Sequence, residues 1–376
     1  MSFARLSLPV LPTLLAAYLF TVALPGCAHR STSQAPVTPT AAPTTEAPMP
    51  KDADREPLAL FGDRSEADPA FCNRLLSNIA QHSFTADGRD FDPDVDHAGE
   101  LLVFASTRHA DNPDLYIKQV DSTALTQLTS DPAHDVQPRF SPDGRKIAFA
   151  SNRGGTWDIW QINRDGTNLV QLTSDVSDEL SPSWSPDGSL IAYSVWSQRS
   201  GTWEIWTLAV DRPGVKRFLA AGMFPVWSPD GKRLAFQRAR QRGSRWFSVW
   251  TVELLGDEAR NPTEVAHSDE AACIAPQWSP DGRWLVYCAV SRSATHPPRT
   301  NPAADLWAVA LDSGVRRKLT DGGAPSMNPV WSRAGRIFFV SDRAGTENIW
   351  SVPGGMIADS DGPRVTRTSA DGRSAP

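Results

Sequence analysis

Three carboxylates recur at one register of this 376-residue chain: Asp90, Asp135 and Glu179 each stand three residues before a proline, at Pro93, Pro138 and Pro182. Gathered on one rim, they would suit a cation or a basic peptide. Kept apart, each would cap its own loop, and position alone leaves both readings open. His109 and His134 fall near the same register, on the same expected rim, and two histidines are too few to specify a metal centre. A second set of acids sits in the tetrapeptide Ser-Pro-Asp-Gly: Asp143, Asp187, Asp230 and Asp281, each followed by Gly144, Gly188, Gly231 or Gly282. Proline presets the first turn angle, aspartate accepts a hydrogen bond from the backbone, and glycine takes the left-handed position. One acid repeated on every unit is poor catalytic design, so these residues are expected to bend the chain. Arg108 and Arg153 are expected to clamp the following hairpin against Asp114 and Asp158.

Those residues need a scaffold, and the repeat supplies it. Aligned prolines fall at Pro93, Pro138, Pro182, Pro225, Pro276 and Pro329, a period that signals a propeller or similar array. Each unit reads as four short strands: one around P-x-W-S, one like IAFAS, one like DIWQIN and one like VQLTS. The predicted fold is therefore all-β, a six-bladed β-propeller of four-stranded antiparallel blades. Trp184, Trp227, Trp278 and Trp331 share one register and Trp160, Trp206, Trp250, Trp307 and Trp350 another, so they are assigned to the wedges between blades. The longer loops 195–202, 238–247 and 290–304 emerge on the face opposite the S-P-D-G turns, where a partner is expected. Two segments could complete the ring, VTRTS at 365–369 or IAQHSFT at 79–85.

The unit P-x-W-S-P-D-G-x-x-I-A-F, followed by S-x-R-x-G, D-I-W and Q-L-T, resembles the TolB-type, WD40-like (PD40) β-propeller repeat. The resemblance spans about residues 80–370 and includes SNRGGTWD at 151–158 and SDRAGTEN at 341–348. It implies a periplasmic binding module, with a peptidoglycan-associated lipoprotein and a Tol-Pal system as the implied partners. The separate α/β domain that precedes such propellers has no counterpart in residues 28–90. Neither G-x-S-x-G, H-E-x-x-H nor a phosphate-binding G-x-x-x-x-G-K-[ST] occurs. The expectation is a non-catalytic protein with no cofactor, a channel-bound cation being left open. The competing reading is a metal-dependent lyase- or hydrolase-like site in the channel.

Residues 1–27 read as a secretory signal with a lipobox: a basic start, an apolar run and L-P-G-C ending at Cys27, the expected lipidation site. Residues 28–70, rich in Pro, Thr and Ala, should be an extended tether. The propeller is assigned to 71–370 and a disordered tail to 371–376. An exported monomer attached to the membrane through lipid alone follows. The net charge of -6 gives no basic footprint for nucleic acid. Cys273 and Cys288 flank one S-P-D-G turn, and spacing leaves a disulfide and two separate thiols equally open.

Overall fold

In each repeat, a short apolar run flanked by turn residues becomes a strand, and the third residue of the second run is aromatic. Phe104, Phe149, Tyr193, Phe236, Tyr287 and Phe339 all occupy that place, and none is more than 3% exposed. A buried aromatic at one register in six consecutive units requires a neighbour on both faces, which a ring of blades provides. The computed structural model describes residues 65–66, 68–239, 246–256, 258–291, 303–355 and 357.

The strands form six blades of four antiparallel neighbours, and blades one to five run in chain order from the axis outward. Blade one is Asp90–Val95, Leu101–Ser106, Asp114–Gln119 and Thr126–Gln127. Blade two is Asp135–Phe140, Lys146–Ser151, Asp158–Asn163 and Val170–Gln171. Blade three is Glu179–Trp184, Leu190–Ser197, Thr202–Ala209 and Arg212–Ala221. Blade four is Met223–Trp227, Arg233–Ala239, Phe247–Leu255 and Glu258–Ala266. Blade five is Ala271–Trp278, Trp284–Ser291, Ala303–Ala310 and Arg316–Lys318. Blade six is Ser326–Trp331, Arg336–Ser341 and Asn348–Pro353, completed by Ala80–Gln81. Each first strand packs on the next, and Ser326–Trp331 packs on Asp90–Val95, so the ring closes around a channel.

The closing strand is the early segment: Ala80 lies opposite Ser351 and Gln81 opposite Trp350. VTRTS lies outside the described residues. Two described elements fall wholly or partly inside the stretch assigned to the tether. Ser65–Glu66 adds to blade five in parallel, with Ser65 opposite Arg316, and a helix spans Pro69–Leu76. Asp68 caps that helix, accepting from the Ala70 N–H at 2.9 Å, and Pro69 needs no donor there. Phe71, Cys72 and Leu75 are buried. The signal, Cys27 and the 371–376 tail lie outside the described residues.

The S-P-D-G turns face the other end of the channel. Asp143 accepts from Ser141 Oγ at 2.6 Å and from the Arg145 N–H at 3.1 Å, and Gly144 has φ 66°. The serine bond holds the Asp143 carboxyl below its usual range. Asp187, Asp230 and Asp281 accept from Ser185, Ser228 and Ser279 at 2.5, 2.6 and 2.6 Å, with left-handed Gly188, Gly231 and Gly282 behind them. Every oxygen used is turned into its own hairpin.

Candidate functional site

Asp90 and Asp135 sit at the mouth end of their first strands, opposite the last residues of the second, Ser106 and Ser151. Both are fully buried. Arg108 Nη2 holds both oxygens of Asp90 at 2.8 and 2.7 Å, and Ser106 Oγ donates to Asp90 at 2.6 Å. Arg153 repeats this on Asp135 at 2.9 and 2.7 Å, with Asp131 at 2.8 Å as a further partner. Each guanidinium lies over two neighbouring rings, Phe104 and Tyr116 for Arg108, Phe149 and Trp160 for Arg153. The expected clamps onto Asp114 and Asp158 are therefore replaced by clamps onto strand one. Spacing pointed to the nearer acid in sequence; the blade brings the strand-one acid closer. Asp114 instead accepts from Thr129 and Gln127, at 3.2 Å each, and burial pushes its carboxyl up to about 6. In blade six, Arg343 lies in the same way over Phe339 and Trp350 and donates to Ser341 and Ser326.

Glu179 is the third member of the acidic series, also fully buried, with Lys216 3.4 Å from Oε1. Lys216 is held more closely by Asp175, at 2.7 Å, and Glu179 Oε2 has no hydrogen-bond partner. Burial pushes Glu179 up to about 7. Each of the three acids is thus buried within its own blade, against Arg108, Arg153 or Lys216. His109 Nδ1 meets the Tyr116 hydroxyl at 2.8 Å, and the His134 ring sits edge-on to Trp157, so neither histidine joins an acid. Among the described residues, no group of three or more His, Cys, Asp or Glu is placed to hold a metal ion.

The groups that do face the channel lie one residue before and one after the framing proline. Before it stand Asp92, Gln137, Ser181, Phe224, Ala275 and Asn328, all with φ between 50° and 57°. Every first strand skips register at this point. A left-handed conformation is uncommon outside glycine and asparagine, so six in a ring mark a built feature. The freed N–H groups stitch blade to blade: Gln137 donates to Asp92 at 3.2 Å, Ser181 to Gln137 Oε1 at 2.7 Å, and Ala275 to Gln237 Oε1 at 2.8 Å. After the proline stand Asp94, Arg139, Ser183, Val226, Gln277 and Val330.

This lining is two-sided. Before the proline, blades six, one, two and three contribute Asn328, Asp92, Gln137 and Ser181, and blades four and five Phe224 and Ala275; after it, Asp94, Arg139 and Ser183 lie on blades one to three, Val226 and Gln277 on four and five, and Val330 on blade six. Asp92 accepts from Asn328 Nδ2 at 2.6 Å, and Asp94 from the Phe140 N–H at 2.7 Å. Burial pushes both carboxyls up, Asp94 to about 6, while the nearby Arg139 charge pulls the other way. Arg139 Nη1 donates to the Pro93 and Pro138 carbonyls at 3.2 and 3.0 Å. Its Nε and Nη2 have no protein acceptor among the described residues. A planar cation with open donors, a carboxylate near its neutral point and an apolar wall can together hold a peptide carrying both charges. The sequence does hold a trace of this site: in an otherwise regular repeat, these two positions change character from blade to blade.

Of the loops, 195–202 is a hairpin carrying an edge-to-face Trp196–Trp203 pair at 5.6 Å, whereas 240–245 and 292–302 lie outside the described residues. Cys273 and Cys288 are not bridged. Cys273 is opposite Ala289 and Cys288 opposite Ile274, so the pleat sends the two thiols to opposite faces of blade five. Cys273 packs towards blade four with Ala235 and Val249, while Cys288 Sγ meets the Ser326 carbonyl of blade six at 3.4 Å.

Two family models match in overlapping stretches. That of the Tricorn protease N-terminal beta propeller domain covers residues 156–370, and that of the TolB beta propeller domain covers 67–173. An uncharacterized protein of Agrobacterium fabrum is 36% identical over 76 residues, which is 20% of this chain and 23% of that protein's length. The match therefore spans about a quarter of that relative. Among solved structures, a putative TolB from Agrobacterium tumefaciens is similar at a TM-score of 0.55 and 19% identity, over 73% of this chain and 96% of that one. The tricorn protease is similar at 0.52 and 17%, over 72% of this chain and 25% of its own.

Proposed function

The chain belongs to the family of the Tricorn protease N-terminal beta propeller domain, with repeats of the TolB type, and from that premise we propose an exported, non-catalytic binding module. Its partner is a protein or peptide of the cell envelope that docks on the loop-bearing face and reaches into the channel. The observation carrying this reading is the ring of six left-handed residues, polar on blades six, one, two and three (Asn328, Asp92, Gln137, Ser181) and apolar on blades four and five (Phe224, Ala275). A rigid ring gives such a mouth low reorganisation cost on binding. Lipid on Cys27 would hold the body near a membrane, and a peptidoglycan-associated lipoprotein is the partner that the TolB likeness suggests.

Capture from solubilised envelopes tests the proposal. Wild type should retain a partner that Arg139→Ala and a chain lacking 292–302 lose; identical capture by all three would contradict it. A channel enzyme is the second reading, favoured by Asp94, a carboxylate near neutrality beside a cation. It predicts a metal that co-purifies with the chain and is lost in Asp94→Asn, measured by elemental analysis.

A further inference from the structure

The acid clamp of blades one and two is rebuilt in blade three from different parts. Arg108 and Arg153 stand four residues after Phe104 and Phe149; the matching place after Tyr193 is Ser197. The cation comes instead from the outer strand, where Lys216 lies 3.4 Å from Glu179 Oε1 and 2.7 Å from Asp175 Oδ2. Glu179 is fully buried, whereas Asp175 is 57% exposed on the segment that links blade two to blade three. The two carboxyls lie within hydrogen-bonding reach of each other. One ammonium therefore serves two carboxyls.

The surroundings of Glu179 supply no second cation. Thr173, whose counterparts Thr129 and Thr320 bond the acid of their own blade, is placed to bond Glu179 of the next. Tyr193 lies near both carboxyls and is pushed up, by burial first and then by their charge. Blade two brings Asp158 near Lys216 and Asp175, and the first strand of blade four, Met223–Trp227, brings no charge. Burial drives Glu179 up to about 7, while the Lys216 hydrogen bond holds Asp175 below its usual range. Adjacent carboxyls driven apart in this way share one proton.

Asp175 belongs to a loop, 174–178, that ties two hairpins together. Thr156 Oγ1 donates to the Asp175 carbonyl at 3.3 Å, and the Trp157 N–H to Asp178 Oδ1 at 3.3 Å. The Trp196 N–H donates to the Asp178 carbonyl at 3.1 Å. The loop thus joins the second hairpin of blade two to the 195–202 hairpin of blade three.

We propose that Glu179, Asp175 and Lys216 form a proton-operated latch, which holds loop 174–178 against blade three and releases it as the shared proton is lost. With the proton in place, the Glu179 hydroxyl donates to Asp175, Lys216 neutralises Asp175, and the three groups carry no net charge. Loss of the proton to solvent leaves two carboxylates in contact on one ammonium. Asp175, the exposed partner, then withdraws with its loop. Because Glu179 is raised, latching is complete below the ordinary glutamate value of 4.5, declines as pH rises and is lost by about 7. The latch itself needs no partner; that it would make docking on this face pH-dependent rests on the binding reading above.

Hydrogen exchange on the full chain from about pH 5 to about pH 8, corrected for the intrinsic pH dependence of exchange, tests the latch. Protection of 174–178 should fall about tenfold across the acid half of that range and level off above about 7. Glu179→Gln, whose amide still donates to Asp175, should keep the acid-form protection at every pH, and a cooperative thermal transition shows that it folds. Lys216→Met removes the charge that favours Glu179 ionisation, so its decline should run to higher pH. Asp114→Asn, at another buried carboxyl raised to about 6, should keep the wild-type profile. Flat protection in the wild type would overturn the proposal. So would a wild-type profile in Glu179→Gln, or a decline moved to lower pH in Lys216→Met.

Discussion

Asp90 and Asp94 lie four residues apart on one strand and do different work. Asp90 is buried against an arginine that lies over two aromatic rings. Asp94 faces the channel, bonded to a backbone N–H of the next blade, with Arg139 beside it and no direct ion pair between them. The same side chain is structural in one register and available in the other. The difference comes from the skipped register at Asp92, which turns the later half of the strand towards the axis. Conspicuous spacing in a repeat therefore picks out the load of the scaffold, and irregular positions beside it pick out the surface that can discriminate.

Removing the arginine of each pair should separate the two roles most strongly. Arg108→Ala leaves the Asp90 charge buried without its partner and is expected to cost about 3 kcal/mol or more, read as a fall in denaturant midpoint. Arg139→Ala removes the cation that offsets burial at Asp92 and Asp94, but both carboxyls can respond by taking up a proton, so its cost should be smaller, about 1 kcal/mol.

Acid should act with opposite signs on buried and channel groups. His82, on the closing segment, has Nδ1 against the Val120 carbonyl and Nε2 against Ser351 Oγ, with Lys118 and Arg336 nearby. Burial first, and then those cations, hold it below its usual value, so the neutral ring is the folded form. Its contribution is complete above the ordinary histidine value of 6.5 and declines as pH falls below it. His82→Gln should flatten that decline, measured as hydrogen exchange across 79–85. Asp94 behaves the other way. Its raised value means that folding favours the protonated form, so its ionisation opposes folding above about 6, and the penalty fades as pH falls towards 3.8. Asp94→Asn should stabilise the chain by about 1 kcal/mol at neutral pH, allowing for solvent screening in the channel, and by nothing in acid. The smallest effect is expected at Ala275, left-handed at φ 51°. Ala275→Gly should relieve backbone strain, partly offset by unfolded-state entropy, for a net gain of about 0.5 kcal/mol in thermal unfolding.

Much of the fold was legible because it is local and repeated. S-P-D-G specifies its turn within four residues, and the aromatic of strand two returns in all six units. Ring closure was less legible, since Ala80–Gln81 pairs with a strand about 270 residues later and two residues carry little pattern. The Asp68 cap and buried Phe71 were hidden in a segment whose neighbours are polar. At the site, the position of the acidic series was readable and its burial was not. Lys216 reaches Glu179 and Asp175 from blade three's outer strand, a pairing that no local spacing announces. The channel set escaped notice because Asp94 and Arg139 share no residue type, only a register.

Partner capture and stability measured together on Arg139→Ala and Arg108→Ala reach the centre of this account. Arg139→Ala should stay close to the wild-type Tm and lose the envelope partner, whereas Arg108→Ala should lose Tm and, at a temperature where it remains folded, keep the partner. The reverse assignment, with Arg139 needed for folding and Arg108 for capture, would contradict the division of labour between blade and channel.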